Sequence, residues 1–272
     1  RQELVGKDGK IYLAGGSGLA TMAMLYLEKY HQFVERAFLM SFYVDARVGS
    51  EGPYEFFSKF LEERNLKDCF EKAISKKKIN EKQLFHLLQR LLYSSQERAR
   101  ALIEEAANGS TTIYDEESKI HGRVEYFIEY VRRYWPQLVV FMYETNVPPQ
   151  NSRKDINEPF LLMGEPIAKL VREGEIAGRY MNTGPLDGVT TDVLFVAGEK
   201  DQVTPVNVTG HIKKQVPNSR LAIMKGYHCL AGESKLRSKM MNAFFAHGSH
   251  SQELEGLLLS DEFSDYFVKL ED

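Results

Sequence analysis

Ser17, Asp201 and His228 are the residues whose types and order could do chemistry. Each stands just behind an apolar run: Ser17 after "IYLAGG", Asp201 after "DVLFVAGEK" and His228 after "SRLAIMKGY". A serine hydroxyl is a weak nucleophile until a base takes its proton. An imidazole can do that, and a carboxylate can hold the imidazole's tautomer and stabilise its charged form. The chemistry would be attack of Ser17 Oγ on an acyl carbon, with His228 as proton carrier and Asp201 as its orienting acid. The backbone N–H of Gly18, at the start of a predicted helix, would supply one donor to the oxyanion.

Each residue also has a plainer reading. Gly15-Gly16-Ser17-Gly18 fits an ordinary strand–helix turn. It also resembles a phosphate-cradling loop, but it carries neither the Walker lysine nor the full dinucleotide fingerprint. Asp201 alone could cap a turn, and His228 alone could be a satisfied, half-buried histidine. What favours the catalytic reading is their joint occurrence, in order, each behind its own apolar strand. Two registers fit the turn. With Ser17 at the tip, the position two residues on is Leu19, where a tight elbow calls for a small residue. With Gly16 at the tip the small positions are satisfied but the nucleophile is lost. "IYLAG-x-S" favours Ser17.

The elements that must position these residues follow from the pattern. "IYLA", then "LATMAMLYLEKY", then "RAFLMSFYV" (Arg36 to Val44) read as strand, helix and strand, a βαβ unit with parallel strands. From about Arg47 to Met181 the rhythm becomes helical. Asn80 and Gln83 form a capping box for "INEKQLFHLLQRLLYS", and Ser94 and Glu97 cap the next helix, which Asn108-Gly109 stops. Pro136 ends "VEYFIEYVRRYW", prolines break "INEPFLLMGEPIAKLVREGEI", and Pro148-Pro149 marks a loop. Strand–helix alternation then returns, with one short helix in the tail near "QELEGLLLS". The predicted organisation is α/β: residues 1–46 begin a mostly parallel sheet domain, 47–181 form a large helical insertion or lid, and 182–272 complete the sheet domain.

Composition excludes some function classes. A net charge of −3 gives no basic excess for nucleic acid, and no apolar run is long enough to span a membrane. The N-terminal "RQELVGKDGK" has no signal-peptide core. The two cysteines, Cys69 and Cys229, have no partners at metal-ligand spacing; they could pair or stay free. No zinc site is expected from their spacing.

"LFVAGEKDQVTP", "PNSRLAIMKGYHCLAGES" and "MNAFFAHG" together resemble the C-terminal region of the tripeptidyl-aminopeptidase-like and prolyl-aminopeptidase branch of the α/β-hydrolase serine peptidases. "LLYSSQERARALIEEAANGS" is similar to a lid segment of that branch. The resemblance puts Ser17, Asp201 and His228 on the family's triad. It implies an α/β-hydrolase fold and cofactor-free hydrolysis of peptides from the amino end, with an esterase or lipase, or a silent hydrolase-like binding protein, as the rival readings. It leans towards a secreted or cell-surface protein. Asp45 is an alternative acid, and Glu51, Glu55, Glu144 and Glu165 are available to meet a substrate amine. The family builds half its sheet, and its second oxyanion donor, before the nucleophile strand. Only about ten residues precede it here, so three expectations stay open: the chain is a fragment, the first half belongs to a separate chain, or this is a compact variant.

Overall fold

The computed structural model describes residues 2–148, 155–230 and 233–272. Pro149, part of the loop expected at Pro148-Pro149, lies outside them. Two compact units are formed, one from Arg1–Val44 with Asn182–Asp272 and the other from Asp45–Met181.

The first unit is an α/β domain with a five-stranded sheet in the order β1 (Ile11–Gly16), β2 (Val34–Met40), β3 (Asp192–Gly198), β4 (Ser219–Met224) and β5 (Phe267–Glu271). The first four strands are parallel and β5 is antiparallel to β4. Alternate residues of the central strands feed two cores. Ala37, Leu39, Phe195, Ala197 and Leu221 pack with Ala20, Met24 and Leu27 of α2 (Gly18–Tyr30). Phe38, Met40, Leu194, Val196 and Ala222 pack on the other side, with Met240 and Phe244 of α12 (Ser234–His247). Burial on both faces explains why these strands read as apolar runs and not as alternating patterns. Among the described residues β1 is paired on one side only, and Tyr12 on it is exposed.

Several local expectations change. "RAFLMSFYV" leaves the sheet after Met40, because Ser41 adopts a left-handed φ of 49° and turns the chain. The tail adds β5 beyond the helix Gln252–Leu258, which was the only element expected there.

The second unit is helical: α3 (Ala46–Glu63), α4 (Lys67–Ile74), α5 (Glu81–Ser94), α6 (Gln96–Ala107), α7 (Thr112–His121), α8 (Val124–Tyr134), α9 (Pro136–Thr145) and α10 (Glu158–Arg172). Asn80 caps α5 through Gln83 N–H, at 2.9 Å. The cap of α6 is Ser95, not Ser94; Ser95 Oγ accepts from Arg98 N–H. α10 runs unbroken, since Pro159 sits in its first turn, where no N–H is needed, and the helix absorbs Pro166.

His86 on α5 has no exposed surface, and its ring lies 5.2 Å from that of Phe127. Burial, then the charge of Arg90, pushes its pKa down to about 4; His121's charge adds to this, while a backbone bond at His121 and the charge of Glu125 oppose it. The unfolded chain therefore takes a proton near pH 6.5 that the folded unit refuses until about 4. Stability supported by the neutral ring is present above 6.5 and lost as pH falls toward 4, by on the order of 3 kcal/mol. Urea midpoints across this window are expected to fall more steeply for the wild type than for His86→Phe; identical slopes would refute the assignment.

Candidate active site

β1 ends at Gly16 and α2 begins at Gly18, leaving Ser17 alone to reverse the chain. It does so at φ 54°, ψ −131°, a combination that L-residues avoid. Ser17 stands at the N-cap position of α2, where a serine usually adopts extended φ and ψ and bonds the helix's first amides. Here its side chain makes no capping bond. The turn is held by the backbone instead: Ser17 N–H donates to Met40 O at 2.9 Å, and Ser17 O accepts from Ala20 and Thr21 N–H. Of the two registers, the tip of the turn is Ser17, and Gly16 is still in the strand.

Tightness is taken up at Gly15. A Cβ there would lie 2.8 Å from the backbone N and Cα of Ala20. Leu19 is 73% exposed, so no close neighbour demands a small residue at that position. Gly18 opens α2, where its N–H has no intrahelical partner.

Asp201 follows β3 and is fully buried. Its Oδ1 accepts from the N–H groups of Val203 and Thr204, both at 2.9 Å, and its Oδ2 accepts from Thr204 Oγ1 at 2.8 Å. His228 Nδ1 lies 2.9 Å from Oδ2 and 3.1 Å from Oδ1. Asp201 and His228 are thus brought into direct contact, with the carboxylate fixed by three other donors. Burial works against a charge on the imidazole. The hydrogen bonds and charges of Asp201 and Cys229 outweigh it and raise the pKa of His228 to about 10. Among the described residues, no hydrogen bond joins Ser17 Oγ to the ring.

Three supporting residues escaped sequence reasoning. Thr204 holds the Asp201 carboxylate. Ser41 Oγ accepts from Cys229 N–H at 2.9 Å and so fixes the turn that carries His228. Gly198 lets that turn pass, for a Cβ on it would lie 2.5 Å from the carbonyl oxygens of Gly226 and Tyr227. Gly198 and Thr204 both lie within "GEKDQVT", but only the fold reveals what they touch.

Asp45, the alternative acid, is engaged elsewhere: its carboxylate caps α3 by accepting from Arg47 and Val48 N–H. Three of the glutamates available to an amine are in ion pairs, Glu51 with Arg47, Glu144 with Arg179 and Glu165 with Arg172. Cys69 and Cys229 are free thiols. No group of metal-binding side chains occurs among the described residues, and no described helix is long and apolar enough to cross a membrane.

No protein-family model matches the chain, and no curated protein matches its sequence. Solved structures do align with it. One is an α/β-hydrolase enzyme from a Medee basin deep-sea metagenome library, at 13% identity and TM-score 0.39, over 89% of this chain and 67% of that one. Another is an α/β fold family hydrolase from Bacillus anthracis, at 15% and 0.38, over 87% and 68%. A third is a thermophilic esterase from Thermogutta terrifontis, at 14% and 0.37, over 90% and 68%. The chain spans about two-thirds of the length of each. None of the three is named as a peptidase.

Proposed function

We propose that this protein is a serine hydrolase that works through an acyl-enzyme on Ser17. The observation that carries the reading is Ser17 itself. A backbone outlier on a non-glycine residue costs on the order of 1–3 kcal/mol. Here the outlier also forgoes a helix cap, which leaves the hydroxyl uncommitted to α2 at the sheet's C-terminal edge. The bonded His228–Asp201 pair at the same edge supplies the base.

The steps follow from these groups. Neutral His228 accepts the Ser17 proton as Oγ bonds to the acyl carbon. The oxyanion that forms is met by Gly18 N–H. The bond to the leaving group then breaks, and that group departs with the proton held on His228. Water repeats the sequence: it loses a proton to His228, attacks the acyl carbon and releases the acid, and Ser17 Oγ recovers its proton. Because the ring must start neutral and its pKa is about 10, the rate rises with pH toward that value.

The finer reading is a peptidase acting from the amino end, supported by the sequence likeness around Asp201 and His228. The helical unit inserted between β2 and β3 would be the lid that selects substrate. The outer edge of β1 would receive a further strand that brings the second oxyanion donor. A panel of aminoacyl amides and simple esters separates peptidase from esterase, because a peptidase of this kind needs the free amine.

A fluorophosphonate tests the reading itself. At alkaline pH, Ser17 Oγ should bond to phosphorus and expel fluoride, and Ser17→Ala should not be labelled. Labelling that persists in Ser17→Ala would remove Ser17 as nucleophile. No labelling of the wild type would favour a silent binding protein.

A further inference from the structure

His228 Nδ1 faces three oxygens. Besides Asp201 Oδ2 at 2.9 Å and Oδ1 at 3.1 Å, Thr204 Oγ1 lies 3.3 Å away. Thr204 is buried, and the single proton of its hydroxyl goes to Asp201 Oδ2 at 2.8 Å. Oγ1 can therefore offer the ring only a lone pair. The hydroxyl thus touches both members of the pair, and at Oδ2 it competes with Nδ1–H for one oxygen. A donor on a carboxylate spreads its charge and weakens its hold on a neighbouring cation. The bond that Oγ1 accepts from Nδ1–H acts the other way, but at 3.3 Å against 2.8 Å it is the weaker of the two. The other ionisable groups of these turns are Glu199 and Lys200 after β3, and Lys225, Tyr227 and Cys229 around His228. Arg237 of α12 reaches the same turn through the Cys229 carbonyl, at 3.1 Å. All of them stay in place when only the Thr204 hydroxyl is removed.

We propose that Thr204 is a positioning residue that sets the basicity of His228: its hydroxyl draws charge from the Asp201 carboxylate and so lets the ring release its proton at lower pH. The amides of Val203 and Thr204 on Oδ1 already place the carboxylate, which leaves the hydroxyl to act on its charge. A base that must start neutral then works nearer to neutral pH. That last consequence rests on the serine-hydrolase reading; the effect on the ring does not.

Thr204→Val removes the hydroxyl and nearly keeps the shape, while Thr204→Ser keeps the hydroxyl. With ¹⁵N-labelled histidine, the His228 ring can be titrated by NMR, its signal assigned by its loss in His228→Gln. The midpoint is expected to rise by about one pH unit in Thr204→Val, a roughly tenfold gain in proton affinity, and to stay near wild type in Thr204→Ser. The inflection of fluorophosphonate labelling against pH should move with it, with the alkaline plateau kept. A purely structural Thr204 would lower the urea midpoint of Thr204→Val and leave the titration where it was, which would overturn the proposal. So would a lowered midpoint, or a Thr204→Ser that titrates with Thr204→Val. Should Thr204→Val fail to fold, Thr204→Ala carries the same expectation. If fluorophosphonate labels no form of the protein, the serine reading falls, while the NMR titration still judges Thr204.

Discussion

Asp201→Asn is expected to lower kcat by roughly 10³- to 10⁴-fold with little change in KM. The carboxylate is fully buried and accepts four hydrogen bonds, from two backbone amides, the Thr204 hydroxyl and His228 Nδ1. An asparagine can keep the two amide bonds through its carbonyl oxygen. Its amino group then occupies the place of Oδ2, and Thr204 can rotate its hydroxyl to accept. His228 cannot adapt without cost: Nδ1 must become an acceptor, so the proton moves to Nε2. That nitrogen can then no longer take the Ser17 proton. The backbone and the substrate-facing surface are unchanged, which is why the loss falls on kcat. A loss smaller than about tenfold would remove Asp201 from the orienting role.

The same substitution has a pH signature. Asp201 raises the His228 pKa through both a hydrogen bond and its charge, so the inflection of residual activity should fall below the wild-type value of about 10. Stability moves with it. A histidine raised from 6.5 to about 10 contributes fully below pH 6.5, and that contribution is lost as pH rises through about 10. The wild type should therefore weaken across this range by a few kcal/mol, and Asp201→Asn by much less.

How much of this was legible in the sequence varied from element to element. The buried strands announced themselves because both faces of β2, β3 and β4 are covered, and helix ends were marked where a side chain caps, as at Asn80. Ser95 was missed in favour of Ser94 because adjacent serines look alike to a pattern, and only the bond that Ser95 Oγ accepts from Arg98 N–H separates them. β5 was missed because its residues are partly exposed and pair only at an edge. The order Ser17, Asp201, His228 was readable because each residue lies in a turn just past a strand. The contacts that hold the pair were not. Ser41 and Cys229 are far apart in sequence, and what joins them is a turn of φ that no residue type at position 41 advertises. Leu19 looked like a defect because a small residue is required where the turn is tight; the tight approach is at Gly15, against the backbone of Leu19 and Ala20.

Gly198→Ala is expected to damage both stability and rate. Glycine is needed at the end of β3 for space and not for φ. The added methyl would lie 2.5 Å from two carbonyl oxygens, those of Gly226 and Tyr227, and 2.9 Å from the Gly226 carbonyl carbon. Both carbonyls are already committed, Gly226 O to Lys200 N–H at 2.9 Å and Tyr227 O to Leu230 N–H at 3.0 Å. The turn cannot yield by rotating a side chain; it must move as a unit, and His228 is its next residue. Overpacking of this kind costs roughly 1–3 kcal/mol, and more where backbone must shift. A displacement near 1 Å at a catalytic base costs about 10²-fold in rate. Gly188→Ala is the matched control, because nothing lies within 4 Å of the Cβ it would add. Gly198→Ala should lower both the urea midpoint and kcat, with weaker fluorophosphonate labelling, while Gly188→Ala leaves all three near wild type. Equal behaviour of the two variants would mean that the strand end does not set the position of His228.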